Sequence, residues 1–445
     1  MIDETSGVLP ARSARRSRLC ALATLLMAVA LSCAHAAPVA TGPWVLERAV
    51  LLQRHGVRAP TETPAALARY SAQPWPTWPV GPGELTDGGR RALAAMASYI
   101  RARYAGLGLL PSAGCPVSGG FYVWADSADQ RTRASGAIMA AGLAPGCSIT
   151  AQHAVTRRDP LFHPGGICPF DARVAQAQII ARANGNLNAL GPRYERARQA
   201  LQAVLWPGVR DCGGSGARCS IMHGRNRLTI GHGKLKLTGP LEVGASLSEN
   251  LLLEYTDGLP SSEVGWGRAA SVWQLAQVLP LHAASADLMR RTPEIAASGG
   301  TPLAHLMLLL LEERPTAGAF AAAPPVPTTA GLVVLAGHDT NLSNVGSILG
   351  LDWTLPDEPD STAPDTTLAL ELWRNAHDGR QYVRAVVLYQ TLAQLRAEAM
   401  SDRADPHVPA AHALVLAFPG CTSSRCPLSV VRARIESRMS RNCAR

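Results

Sequence analysis

The stretch "VLLQRHGVRAP" at residues 50–60 decides how the chain is read. An apolar run stops at Gln53, and Arg54, His55 and Arg58 follow within five residues. A run of this kind reads as a buried strand that carries charged side chains just past its carboxyl end. Guanidinium groups penalise protonation of a nearby imidazole, so His55 is expected to be neutral. A neutral histidine between two anion-binding arginines is either a general base or a nucleophile facing an anion.

Other segments repeat the strand signal. "RAVLLQ" (48–53), "GFYVWAD" (120–126), "TAGLVVLAG" (329–337) and "QYVRAVVLYQ" (381–390) read as buried strands. Helical patterns lie between them, notably 90–106 after Thr86-Asp87 as an N-cap, and 130–143. Alternating strands and helices predict an α/β fold with a mostly parallel central sheet flanked by helices. Between about 155 and 315 the strand signal weakens and helical runs dominate, which predicts an inserted, mainly α-helical cap domain. The expected division is therefore a core of 37–154 plus 316–445, with 155–315 as the cap. "FAAAPPVPTTAG" (320–331) reads as the surface connection back to the core.

The chain has 445 residues and a formal net charge of +9. Residues 1–36 read as a signal peptide. Arg12, Arg15, Arg16 and Arg18 form a charged start, 19–33 an apolar core, and "AHA" at 34–36 a small-x-small cleavage site. The apolar core is too short for a comfortable membrane span. Cleavage leaves a charge of +7 and a periplasmic or secreted protein with no membrane attachment. Two other export readings rest on Cys33, as a lipoprotein-like site, and on Arg15-Arg16, as a twin-arginine signal. Arginine carries nearly all the positive charge, because the only lysines are Lys234 and Lys236. No basic run interleaves with aromatics, so nucleic acid is not an expected partner.

Ten cysteines are present, two of them in the leader. The other eight are an even number in an exported chain and suggest disulfides, with 212/219 and 421/426 close enough for local staples. No C-x-x-C occurs, and no histidine pair sits at ligand spacing beside a cysteine, so neither a zinc site nor another cofactor is expected.

Three stretches place charge directly after an apolar strand. These are 54–58, "ADSADQRTRASG" (125–136) with Arg131, and "LAGHDTN" (335–341) with His338 and Asp339. Ligands of open α/β sheets bind beyond the carboxyl ends of the strands, so all three can converge. Together they suggest phosphoryl transfer through histidine. Arginine forks suit the oxygens of a tetrahedral dianion, and a neutral imidazole can attack phosphorus in line. Asp339 is placed to protonate the leaving alkoxide and then to activate water. It must be protonated to begin, which favours acid optima. The arginines can neutralise the developing charge without a metal.

"RHGVRAPT" (54–61), "DQRTRASG" (129–136) and "GHDTN" (337–341) resemble the histidine acid phosphatases, a branch of the histidine phosphatase superfamily. The resemblance is nearest to the bacterial periplasmic phytase and glucose-1-phosphatase group and runs from about residue 45 to the C-terminus. "GELTDGG" (83–89), "DPLFHP" (159–164), "GWGR" (265–268), "RTPEIA" (291–296) and "TLPDEPD" (354–360) support it. The resemblance implies that His55 is the phosphorylated nucleophile and Asp339 the proton donor. Arg54, Arg58, Arg131 and His338 would form the phosphate pocket. It also implies the pairs Cys115–Cys147, Cys168–Cys443, Cys212–Cys219 and Cys421–Cys426, and a monomer acting on small phosphate monoesters.

Substrate signals diverge. Where the phytases carry a lysine after "RHGVRAPT", this chain has Glu62, which repels a polyanion. "HDTN" leans towards the phytases, whereas 239–260 reads more like the glucose-1-phosphatases. Glu62, Glu249 and Arg291 are candidate rim residues, and Asp365-Thr366-Thr367 stands where the group usually has Gly-Gly-Glu. The competing readings are a sugar-phosphate mutase and a non-catalytic binder of phosphate esters. Export and disulfides argue against the first, and the complete set of site residues argues against the second. A serine hydrolase is disfavoured because no G-x-S-x-G occurs.

Overall fold

The computed structural model describes residues 43–208, 224–231, 234–320, 323–401 and 410–443. The expected signal peptide and the Cys212–Cys219 pair lie outside them. Among the described residues the strands are β1 (Trp44–Arg54), β2 (Phe121–Ala125), β3 (Gln152–His153), β4 (Arg227–Gly231), β5 (Lys234–Thr238), β6 (Leu332–Gly337), β7 (Thr367–Asn375), β8 (Gln381–Tyr389), β9 (His412–Leu416) and β10 (Cys426–Pro427). The helices are α1 (Pro64–Leu67), α2 (Asp87–Gly106), α3 (Gln130–Leu143), α4 (Ala172–Arg182), α5 (Pro192–Leu205), α6 (Pro240–Thr256), α7 (Val272–Val278), α8 (Pro280–Arg290), α9 (Pro293–Leu311), α10 (Asp339–Leu349), α11 (Leu392–Met400) and α12 (Leu428–Arg438).

The central sheet has the order β10-β8-β7-β1-β6-β2-β3, with β9 also pairing to β8. β1, β6, β2 and β3 run parallel, and β7 to β10 extend the sheet antiparallel from the other side of β1. Arg54 is level with Gly337, and Ala125 with Ala336. The register therefore brings the ends of three motif-bearing strands side by side.

Successive residues of a strand face opposite sides of the sheet. Val50 and Leu52 of β1 pack with Leu303 and Met307 of α9 and with Leu342 and Val345 of α10. Ala49 and Leu51 face the other way, onto Leu93 and Met96 of α2 and Met139 of α3. All four β1 residues are inaccessible to solvent, and full burial stabilises each leucine by about 1.5–3 kcal/mol. That anchoring holds the strand end from which His55 projects.

A second core, with Ile179, Leu201, Leu251, Leu275 and Leu288, joins α4 to α8. α9 lies within the expected cap segment, yet its residues Leu303–Leu311 belong to the same core as β1 and β6. Its unbroken apolar run Leu306–Leu311 fits a helix packed against a sheet. It is also the one described helix long and apolar enough to cross a membrane, and 72% of its most apolar window is buried inside the protein. The cap segment further carries the hairpin β4–β5, whose mostly exposed residues left no buried-strand signal. Cys115–Cys147, Cys168–Cys443 and Cys421–Cys426 are disulfide-bonded.

Candidate active site

His55 lies just past β1, and its amide donates to Gly337 O of β6 (2.9 Å), while Arg54 N donates to Thr366 O (2.9 Å). The imidazole is buried, and Nδ1 is 2.8 Å from Gly56 O. A carbonyl only accepts, so Nδ1 carries the hydrogen and Nε2 keeps the lone pair. Burial, followed by Arg131, Arg54, His338 and Arg58, pushes the His55 pKa well below the usual value. The histidine is therefore neutral, as expected from its arginine neighbours.

The turn after His55 depends on close backbone approach. A Cβ on Gly56 would come within 2.9 Å of Leu85 Cδ1 and 3.2 Å of Gly89 O. One on Gly89 would reach 2.2 Å from Val57 O. Gly56 N also donates to Ser135 Oγ on α3 (3.1 Å). The glycines of "RHG" and "TDGG" thus let the turn after His55 seat against α2.

Arg54 is fully buried. Its Nη2 lies 2.6 Å from Glu249 Oε1, its Nη1 donates to Thr362 O, and Asp360 Oδ2 is 3.6 Å away. Arg58 Nη2 contacts the other oxygen, Glu249 Oε2, at 3.2 Å. Glu249 therefore bridges the two arginines. Burial raises its pKa, but Arg58 and Arg54 outweigh burial and hold it below the ordinary value. Arg131 donates to Asp129 Oδ2 (2.7 Å) and Gly83 O (3.2 Å) at the start of α3.

His338 follows β6, with its ring centroid 5.5 Å from that of His55. Its Nε2 lies 2.8 Å from Oδ2 of the inaccessible Asp126, and the same oxygen is 2.8 Å from His163 Nε2. Burial opposes ionisation of Asp126, but hydrogen bonds from both histidines hold its pKa far below the usual range. An ionised carboxylate only accepts, so both Nε2 atoms donate to it.

Asp339 opens α10. Thr340 N donates to its Oδ1 (2.7 Å), and Arg290 Nη1 lies 2.6 Å from its Oδ2. Burial raises its pKa, yet Arg290, Arg54 and His282 hold it well below the ordinary value. The expected acid role of Asp339 requires a proton that this arrangement disfavours. Oδ1 accepts from Thr340 and Oδ2 faces Arg290 in an ion pair, and both favour the carboxylate.

The rim candidates separate. Glu249 sits inside the arginine clamp rather than on its rim. Glu62 is half-buried and accepts from Ser246 Oγ of α6 (3.0 Å), one helical turn before Glu249. Arg291 points elsewhere: it donates to Leu351 O (2.7 Å) and Asp352, and lies over Trp353. Its neighbour Arg290 is the one that reaches the site. Sequence reasoning also missed Asp126, His163, His282 and Asp360. His163 and Asp360 carried a signal, as members of "DPLFHP" and "TLPDEPD", and Asp126 closes the stretch "GFYVWAD". Two triplets, Asp126–His163–His338 and Glu249–His282–Asp339, hold donor atoms within 4.8 Å of one another, as a metal ion would need. The first is joined by its own hydrogen bonds, and the second includes two carboxylates already paired with arginines.

A family model described as histidine phosphatase superfamily (branch 2) matches residues 45–196 and 248–388. Phytase AppA of Escherichia coli (strain K12) is 38% identical over 360 residues, covering 79% of this chain and 82% of that protein. A glucose-1-phosphatase of Salmonella typhimurium is 27% identical over 414 residues, covering 90% and 94%. The structure of Hafnia alvei phytase in complex with myo-inositol hexakis sulphate aligns with a TM-score of 0.80 at 34% identity, over 91% of this chain and 99% of that one. On these matches, and with the motif residues gathered at one end of the sheet, the chain belongs to branch 2 of the histidine phosphatase superfamily.

Proposed function

We propose that this chain is an exported acid phosphatase that hydrolyses phosphate monoesters through a phosphohistidine at His55, with inositol polyphosphates as its principal substrate class. The observation that carries the reading is Glu249 bridging Arg54 and Arg58 beside the buried, neutral His55. Two carboxylate oxygens already occupy a clamp that suits two oxygens of a phosphoryl group. The substrate phosphate displaces Glu249 and takes donors from Arg54, Arg58, Arg131 and His338. His55 Nε2 then attacks phosphorus as the ester P–O bond breaks. Protonated Asp339 gives its proton to the departing alkoxide. Next the Asp339 carboxylate takes a proton from water, the resulting hydroxide attacks phosphorus, and the P–N bond breaks to regenerate His55. Asp126 keeps the His338 ring in place throughout.

All of these groups come from one chain, which suits a monomer, and the disulfides suit an oxidising compartment such as the periplasm. We assign α4 to α8 as the cap and the sheet with its flanking helices as the core. Glu62 beside Ser246 favours a second reading, a glucose-1-phosphatase or broad sugar phosphatase, because a carboxylate there repels extra phosphates. Acid-quench trapping with a labelled substrate tests the chemistry. Label is expected on the wild type and absent from His55→Ala, and retained turnover by that variant would refute the assignment. Comparing kcat/KM for phytate and glucose 1-phosphate separates the two substrate readings.

A further inference from the structure

Asp339 has been given the role of acid, yet the cations around it outweigh burial and favour its carboxylate. Thr340 N donates to Oδ1, and Arg290 Nη1 contacts Oδ2. The charged groups facing it come from five elements: Arg54 at the end of β1, Arg131 on α3, Glu249 on α6, His282 and Arg290 on α8, and His338 beside it before α10. Arg290 is the one in direct ionic contact. It is the last residue of α8, and its side chain is 23% exposed, against 13% for Asp339. A partly exposed guanidinium at a helix end can swing to another anion at modest cost, whereas buried Arg54 cannot.

We propose that Arg290 is a specificity-determining residue: it holds Asp339 as a carboxylate until a second anionic group on the substrate draws the guanidinium away. The proposal rests on the phosphatase reading and deepens it. Once Arg290 has moved, Asp339 takes a proton from solvent at Oδ2. That proton passes to the ester oxygen as the P–O bond breaks, the alcohol departs with it, and the carboxylate is restored. Esters with one phosphate leave Arg290 on Asp339 and turn over slowly when their leaving group is poor. Esters with two or more phosphates bring their own partner for Arg290. This arrangement supplies a cation for a second phosphate even though Glu62, beside Ser246, opposes one.

The test compares wild type with Arg290→Gln and Arg290→Lys on phytate, glycerol 2-phosphate and p-nitrophenyl phosphate. The acid form of Asp339 is lost as pH rises through its pKa, and removing Arg290 raises that pKa. For glycerol 2-phosphate the alkaline limb of kcat is therefore expected to move up by about one pH unit in Arg290→Gln. The limb for p-nitrophenyl phosphate should move less, since its leaving group needs no proton. The kcat/KM ratio of phytate to glycerol 2-phosphate should fall at least about tenfold, with Arg290→Lys between the two. An unchanged ratio and an unchanged limb would overturn the proposal. Calorimetric binding of myo-inositol hexakissulfate and sulfate decides it independently of turnover. Arg290→Gln should lose at least about tenfold more affinity for the hexakissulfate than for sulfate. Equal losses would overturn the proposal even where the phosphohistidine stands, and unequal losses would support it even where His55→Ala keeps turnover.

Discussion

Glu249 Oε1 lies 2.6 Å from Nη2 of the fully buried Arg54, so the clamp beside His55 is closed by the protein's own carboxylate. A phosphate must compete with that carboxylate for the same donors. Glu249→Gln keeps the shape and removes the charge. Its inhibition constant for inorganic phosphate, measured against p-nitrophenyl phosphate near pH 5, is expected to fall by about tenfold, roughly 1.4 kcal/mol of binding. Weaker phosphate inhibition would instead make Glu249 a direct contributor to substrate binding.

Asp126 Oδ2 accepts from His338 and His163 at the same 2.8 Å. Hydrogen bonds to a charged group contribute about 1.5–3 kcal/mol, so Asp126→Asn should lower kcat/KM by about ten- to a hundredfold. His163→Asn leaves the Asp126–His338 contact in place and should cost less than about threefold. A larger loss from His163→Asn than from Asp126→Asn would show that His338 is not held through Asp126.

Stability should be greatest in mild acid. Burial raises Asp365 and Glu254 to about 8 and Asp257 to about 6. These folded-state values lie above the ordinary carboxyl range near 4. The native state therefore binds more protons than the unfolded chain between about pH 4 and 8, and stability falls as pH rises across that window. Below it, stability falls again, because Asp126, Glu249 and Asp339 are held ionised in the folded state. Asp365 is fully buried, neither of its carboxyl oxygens has a hydrogen-bond partner, and its φ is +68°. Asn tolerates that conformation, so Asp365→Asn should stabilise the protein at pH 8 by about 1–3 kcal/mol. Its effect at pH 4.5 should be small, and melting curves at the two pH values check both statements.

The Cys168–Cys443 bond spans 275 residues, and Cys421–Cys426 spans 5. Chain-entropy reasoning gives about 5.6 kcal/mol for the long loop and about 2 for the short one. Urea unfolding of Cys168→Ser/Cys443→Ser should therefore show a larger loss than Cys421→Ser/Cys426→Ser. The reverse order would mean that strain or denatured-state structure outweighs loop closure.

The core of the site was legible because its residues follow apolar strands, and a parallel register gathers such ends automatically. His55, Arg54, Arg58, Arg131, His338 and Asp339 were all found this way. Asp126 also ends a strand, but a lone aspartate beside two serine-sized neighbours gives no sign of the histidines it will hold. Glu249, His282 and Arg290 reach the pocket from helices, where a side chain's target depends on how the helix docks. Adjacent helical residues point about 100° apart, and this is why Arg291 was chosen from sequence while Arg290 makes the contact. β7 carries Glu371, which is inaccessible and paired with Arg103 and Arg384. Charges buried in long-range pairs interrupt the apolar pattern by which strands are recognised.

His55 and His338 follow β1 and β6, which lie in the middle of the sheet with neighbours on both sides. Glu249, His282 and Arg290 come instead from α6 and α8, helices tied to each other and to the second core. The strand-borne and helix-borne groups of the site thus come from separable parts of the chain. On the proposed reading, a library confined to residues 240–291 that spares Glu249, His282 and Arg290 could retune which alcohols are released while leaving the residues borne by β1 and β6 untouched, and natural divergence within the fold has the same route open to it.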